Sequence, residues 1–235
     1  MVVRGHYGWS HRGVVDMLHR NIERAILSLR VCIFACLAVS AGLAQPAHAQ
    51  TQRQIDQCVN NDKTFSPDVQ LQACSAVIQS GKLTRENLAA AYTNRGLVFE
   101  RKRDHERAIA NYYEAIRLDP KYASAYNNRC HARAVVGNDF QGALADCNES
   151  LRLRPDDANT LNSRGLVQLK RGTYDRAVAD YSAAIDKDEK DANSLYGRGI
   201  AKLRSGDTTA GNADIAAAKA IKPDIDTVYA GYGVK

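Results

Sequence analysis

The chain has 235 residues, 45% hydrophobic and 25% charged, the balance of a folded globular protein and not of a disordered one. Aromatic residues make up only 7%, and the alanine-rich second half carries no alternating β-branched runs, which argues against an all-β sandwich or barrel and for an all-α chain. The formal charge of +6 invites a nucleic-acid or anionic-membrane reading, but charge must be counted on the mature chain.

Residues 1–49 have the three parts of an export signal. Arg20, Arg24 and Arg30 precede the uncharged run Val31–Ala44, and Ala47-His48-Ala49 supplies a small-residue cleavage site, so cleavage is expected before Gln50. Arg30 keeps the apolar run well below the roughly 20 residues a bilayer crossing needs, so no stable membrane anchor is expected after cleavage. Phe34 within Ile33-Phe34-Ala35-Cys36 argues against a lipoprotein signal, and a start at Met17 would give a leader of more ordinary length. Loss of residues 1–49 removes five Arg, one Asp and one Glu and leaves a net charge of +3. The densest basic run, Arg101 to Arg107, has Asp104 and Glu106 interleaved and reads as an inter-helix turn, so no nucleic-acid partner is expected.

Residues 50–84 are expected to form a helix pair. Ser66-Pro67-Asp68 combines an N-cap, a proline at the first helical position and an acid in the first turn, and Gly81 marks the helix end.

From Ala89 the chain repeats. Segments 89–122, 123–157, 158–191 and 192–225 start 34, 35 and 34 residues apart, the extra residue falling in the turn Gly137–Phe140. Each holds two helix-sized amphipathic stretches and a turn. The eighth position is Gly96, Cys130, Gly165 or Gly199, the twentieth Ala108, Ala143, Ala177 or Gly211, and the twenty-seventh Ala115, Ser150, Ala184 or Ala218. Tyr92, Tyr126, Leu161 and Leu195 recur at the fourth position, and Phe140 and Tyr174 precede the second helix, as core residues. Pro120, Pro155 and Pro223 stop the second helix; Glu189 stands there in the third repeat, whose boundary should be less sharp. This pattern over residues 89–225 resembles the tetratricopeptide repeat (TPR) family. The resemblance implies an all-α, right-handed superhelical α-solenoid, with the small residues letting helix A and helix B of each repeat approach closely.

Every repeat carries Arg at its seventh position (Arg95, Arg129, Arg164, Arg198), opposite Asn111, Asp146, Asp180 or Asp214 on helix B. A pair locking helix A to helix B is favoured over a ladder of ligand contacts, because it recurs in every unit. Cys130 and Cys147 replace the small eighth and the large twenty-fourth residue, positions that face each other across this seam in the TPR fold. Cys58 and Cys74 lie 16 apart, the separation of positions eight and twenty-four, so two disulfides are expected, Cys58–Cys74 and Cys130–Cys147, the first within a degenerate leading repeat. A four-cysteine zinc site is the alternative, but no C-x-x-C pair exists. Residues 226–235 begin like another helix A and should form a short capping helix over the last apolar seam.

Nothing points to catalysis. The mature chain has two histidines, His105 and His131, and neither a zinc-protease motif, a nucleophile elbow nor a phosphate loop; no metal or cofactor is expected. In TPR proteins helix A lines the concave wall. Carried over by position, that wall includes Asn94, Arg101, Asn127, Asn128, His131, Asn162, Lys170, Tyr196 and Arg204, an asparagine-rich groove with a mildly basic edge. Amide side chains donate to and accept from a peptide backbone, which suits a polypeptide segment as ligand. The carboxylate clamp of chaperone-binding TPR domains is not matched at Thr93 and Asn127. The leader, the leading cysteine pair and the Tyr-Gly-Val tail resemble secreted TPR proteins of Gram-negative bacteria. The expectation is therefore a periplasmic, non-catalytic scaffold that docks a protein or peptide partner and helps assemble an envelope complex. An envelope polymer in the same groove, polysaccharide or peptidoglycan, is the alternative, and self-association a third reading.

Overall fold

The structure is a computed structural model that describes residues 47–60 and 64–234. The expected leader lies outside them, except for Ala47-His48-Ala49. Among the described residues there are eleven helices and no strand: α1 (Ala47–Val59), α2 (Pro67–Gln79), α3 (Arg85–Arg101), α4 (His105–Leu118), α5 (Ala123–Val136), α6 (Phe140–Leu153), α7 (Ala158–Lys170), α8 (Tyr174–Ile185), α9 (Ala192–Ser205), α10 (Thr208–Ile221) and α11 (Ile225–Gly231). From Thr51 onward they form one compact unit. Helices pair α3–α4, α5–α6, α7–α8 and α9–α10, each pair packs on the next, and the chain is an all-α solenoid of these units.

Local signals set the helix ends. Asp104, Asp139, Asp157, Asp191 and Asp207 each accept a backbone N–H in the first turn of the helix that follows, as do Ser66 and Thr84. Each such cap contributes about 1 kcal/mol by satisfying an otherwise orphaned donor. Pro67 sits at the start of α2, and Gly81 follows its C-cap Ser80 with φ +65°. Helices α4, α6 and α10 stop two residues before Pro120, Pro155 and Pro223 and have 14 residues each. Without the proline, α8 has only 12, and its end unwinds through a turn in which the Lys187 and Asp188 N–H groups both donate to Ala184 O.

The seam inside each repeat is built on one contact. A Cβ on Gly96 would lie 2.5 Å from the Tyr112 ring, and one on Gly165 2.9 Å from the Tyr181 ring. Both tyrosines are fully buried. In the fourth repeat the contact is Gly199 against Ile215 and the Gly211 carbonyl, 2.8 Å from a Cβ there. In the second repeat the same two positions are Cys130 and Cys147, which form a disulfide with a Cα–Cα distance of 5.4 Å. Cys58 and Cys74 form the other, at 4.6 Å, joining α1 to α2 as in a leading repeat.

The seventh-position arginines lock the same seam. Arg129 donates to both oxygens of Asp146 (2.9 and 2.6 Å), Arg164 to both of Asp180, and Arg198 to both of Asp214 (2.7 and 2.8 Å). Arg133 adds a second cation to Asp146 and Lys202 one to Asp214. Arg95 meets the neutral Asn111 at 2.7 Å, and burial pulls its pKa below the usual arginine value. Three of these arginines also reach back to helix B of the preceding unit: Arg95 to Ser75 (3.5 Å), Arg164 to Asn148 (2.9 Å) and Arg198 to Ser182 (3.3 Å). The guanidinium fork thus ties three helices together, the geometry for which arginine outperforms lysine.

Candidate functional site: the helix-A groove

The first helices of successive repeats, α5, α7 and α9, lie side by side and line a polar cleft of about 340 Å³. Ser124, Asn127, Asn128 and His131 come from α5, Asn159, Thr160, Asn162 and Ser163 from α7, and Asn193 from α9. Four of the nine expected groove residues, Asn127, Asn128, His131 and Asn162, therefore meet in one site. Two of the amides also stitch neighbouring repeats: Ser163 Oγ donates to Asn127 Oδ1, and Asn162 Nδ2 to Ser194 Oγ, both at 2.8 Å. Asn193 Oδ1 is buried with no hydrogen-bond partner. The rim holds Arg154 and Asp157, 3.3 Å apart. Burial alone would raise the Asp157 carboxyl, but hydrogen bonds from the Thr160 hydroxyl and N–H and from Arg154 outweigh it and hold its pKa below the usual value. The cleft thus offers donors and acceptors with its charges paired to each other.

The other expected residues are placed elsewhere. Asn94 borders an apolar hollow of about 130 Å³ beside the first disulfide, with Ile55, Val59, Val77 and Leu83. Arg101 donates to Gln70 Oε1 and borders a second cleft of about 260 Å³ with Glu100, Arg103 and His105. Arg204 is exposed in the last turn of α9. Lys170 does not line the polar cleft: its ammonium donates to Val135 O at 2.9 Å and Tyr232 O at 2.7 Å, and burial lowers its pKa. Tyr196 stacks at a tilt on Tyr229, centroids 4.8 Å apart. Of the three expected cations, Arg101 borders the second cleft and Lys170 holds the carbonyls of two residues in its wall, Val135 and Tyr232, while Arg204 lines neither cleft.

The C-terminal segment forms a short helix, α11, that packs against α9 with Ile225 and Tyr229 buried in the same core as Leu195, Ala201 and Ala218; Ala213, Ala217, Ala220 and Ile221 on α10 stay exposed, and the tail beyond α11 turns into the helix-A groove. The Tyr229 hydroxyl donates to Asn193 O at 2.7 Å, and the Tyr232 ring stands edge-on to His131 at 5.3 Å. Tyr232 forms part of the wall of both clefts. Position in the repeat register gave no hint of this, because the tail lies beyond the last full repeat.

Among the described residues no helix is long and apolar enough to cross a membrane. The two disulfides fit an oxidising compartment.

Comparison with known proteins follows the same lines. Tetratricopeptide repeat family profiles match residues 89–122, 133–192 and 162–224. Tetratricopeptide repeat protein 36 of Xenopus tropicalis is 33% identical over 121 residues, 49% of this chain and 55% of that protein. The chain spans about half the length of the curated relatives it matches. Among solved structures, a thermophilic TPR protein of Thermus thermophilus superposes with a TM-score of 0.62 at 17% identity, over 77% of this chain and 98% of that one. YrrB, described as a TPR protein with an unusual peptide-binding site, superposes at 0.54 and 16% identity over 77% and 91%. With the repeat period, the Gly–Tyr seams and the profile matches in agreement, the chain belongs to the tetratricopeptide repeat family.

Proposed function

We propose that the chain is an exported, non-catalytic scaffold whose helix-A groove holds a polypeptide segment of a partner protein and so helps assemble or organise a cell-envelope complex. TPR folds serve in general as protein–protein interaction scaffolds, and the finer reading rests on one observation. Asn127, Asn128, Asn162 and Asn193 converge on a single polar cleft. A peptide backbone, with an N–H and a C=O at every residue, is the ligand such a wall complements. The leader over residues 1–49 and the two disulfides support export to the periplasm. The hydroxyls of Ser124, Thr160 and Ser163 in the same wall also favour a second reading, a sugar-containing envelope polymer.

Affinity capture from the envelope fraction tests this, comparing wild type with Asn128→Ala/Asn159→Ala. Neither residue is one of the two amides that stitch adjacent repeats, so the fold should persist. A protein captured by wild type and lost by the folded variant supports the scaffold. Equal capture by both refutes groove binding. Retention on cell-wall material after protease treatment, lost in the variant, selects the polymer instead.

A further inference from the structure

The chain's own C-terminal segment is already seated in the groove, and its Tyr229, Gly231 and Tyr232 each meet a named group. Helix α11 ends in a Schellman turn: Val234 N–H donates to Tyr229 O and Gly233 N–H to Ala230 O, both at 3.0 Å, with Gly233 at φ +75°, a conformation glycine adopts without strain. That turn brings Tyr229, Tyr232 and Val234 onto one side, and Tyr229 and Val234 are buried. The Tyr229 ring sits over Gly197, where a Cβ would lie 2.5 Å from its hydroxyl, between Tyr181 and Tyr196. Lys170 holds the Tyr232 carbonyl and His131 its ring. At Gly231 a Cβ would lie 3.3 Å from the Arg103 guanidinium, so a small residue there admits the cation of the first repeat. The segment thus touches all four repeats.

A seven-residue helix has little stability of its own, and α11 is held by these contacts together with the buried Ile225 and the Lys219–Asp226 ion pair at 2.9 Å. Its departure would open an aromatic slot floored by Gly197 and walled by Tyr181 and Tyr196, with the Lys170 ammonium beside it.

We infer that the groove is shaped for a helix end presenting two aromatic side chains three residues apart with small residues between them, and that residues 225–234 are its resident competitor, which a partner segment of the same chemistry must displace. This rests on the groove being the binding surface, and adds which segment binds and what it competes with.

The test uses the full chain and a fluorescein-labelled synthetic peptide of residues 224–235 as probe. Wild type should bind it weakly. Tyr232→Ala, which loosens the tail at the groove rim, should bind it at least fivefold more tightly, and adding Lys170→Met should abolish the gain. A probe with both tyrosines replaced by alanine should bind neither chain. Hydrogen exchange at the amides of residues 232–234 reports tail release, and Tyr229→Ala serves as the stronger release variant if Tyr232→Ala stays closed. Equal probe binding by wild type and a released variant overturns the inference, as does no binding to a released, folded variant. A tail-dependent dimer also overturns it, since the segment would then be an arm exchanged between copies. If the probe fails while Asn128→Ala/Asn159→Ala still loses its captured partner, the tail assignment alone falls; if both fail, the groove reading falls with it.

Discussion

The second repeat carries a disulfide where the first and third carry a glycine against a tyrosine, and this exchange predicts a ranking of stabilities. Cys130 and Cys147 are both fully buried, and their bond closes a loop of sequence separation 17. On the chain-entropy account, removing the bond costs about 3 kcal/mol. Cys130→Ser/Cys147→Ser should lose that amount and also bury two hydroxyls without assured partners, about 1–3 kcal/mol more. Cys130→Gly/Cys147→Tyr loses the same covalent constraint but restores the pairing of Gly96 with Tyr112 and Gly165 with Tyr181. Burying the larger ring should return roughly 1–2 kcal/mol, less about 0.5–1 kcal/mol for the freedom of glycine in the unfolded chain. The order expected is wild type, then Gly/Tyr, then Ser/Ser, with about 2–3 kcal/mol between the two variants. Urea unfolding followed by circular dichroism under non-reducing conditions measures it, the two variants separating by about 1 M at an m-value of about 2–3 kcal/mol/M. A Gly/Tyr variant no more stable than Ser/Ser would refute the equivalence of these positions.

Three further outcomes are expected. Gly165→Ala should drive a Cβ into the Tyr181 ring and cost about 1–3 kcal/mol by overpacking, read as a lower thermal midpoint; an unchanged midpoint would contradict the seam geometry. Burial alone would raise the Asp214 carboxyl, but hydrogen bonds from Arg198 and Lys202 outweigh it and hold its folded pKa below the unfolded value near 4. Its contribution is therefore present above about pH 4 and lost as pH falls through the lower folded value, so Asp214→Ala should destabilise by about 2 kcal/mol at pH 7 and show a shallower acid loss; parallel pH profiles would refute the lock. Tyr229→Ala should expose the amides of α11 and the tail to rapid hydrogen exchange while α3 to α10 stay protected, because the tail lies over completed repeats; a collapse of protection throughout would contradict that.

The repeats were legible because their signals are local or periodic. The prolines two residues beyond helix B and the small residues at the seam recur at fixed offsets, so one register placed Cys130 opposite Cys147 and Arg164 opposite Asp180. The same register put Asn127, Asn128, His131 and Asn162 on one wall. It failed for contacts outside the period. Lys170 reaches the Tyr232 carbonyl, 62 residues away, and only the path of the tail decides this. Asn127 and Asn162 pair with serines on neighbouring helices at separations of 36 and 32, contacts set by side-chain choice and not by the repeat. The tail itself read as a cap because residues 226–235 begin like another helix A, and that likeness does not say how far the tail reaches into the groove.

The central claim, that a polypeptide segment lies in the helix-A groove, is tested most directly by site-specific photo-cross-linking in cells that express the full chain. A photoreactive phenylalanine analogue is placed at Asn128 in the cleft or at the exposed Ala179 on α8, outside it. The account predicts a discrete protein adduct from position 128, with the cross-linked peptide identified by mass spectrometry, and none from position 179. An adduct from position 179 with none from position 128 would contradict it.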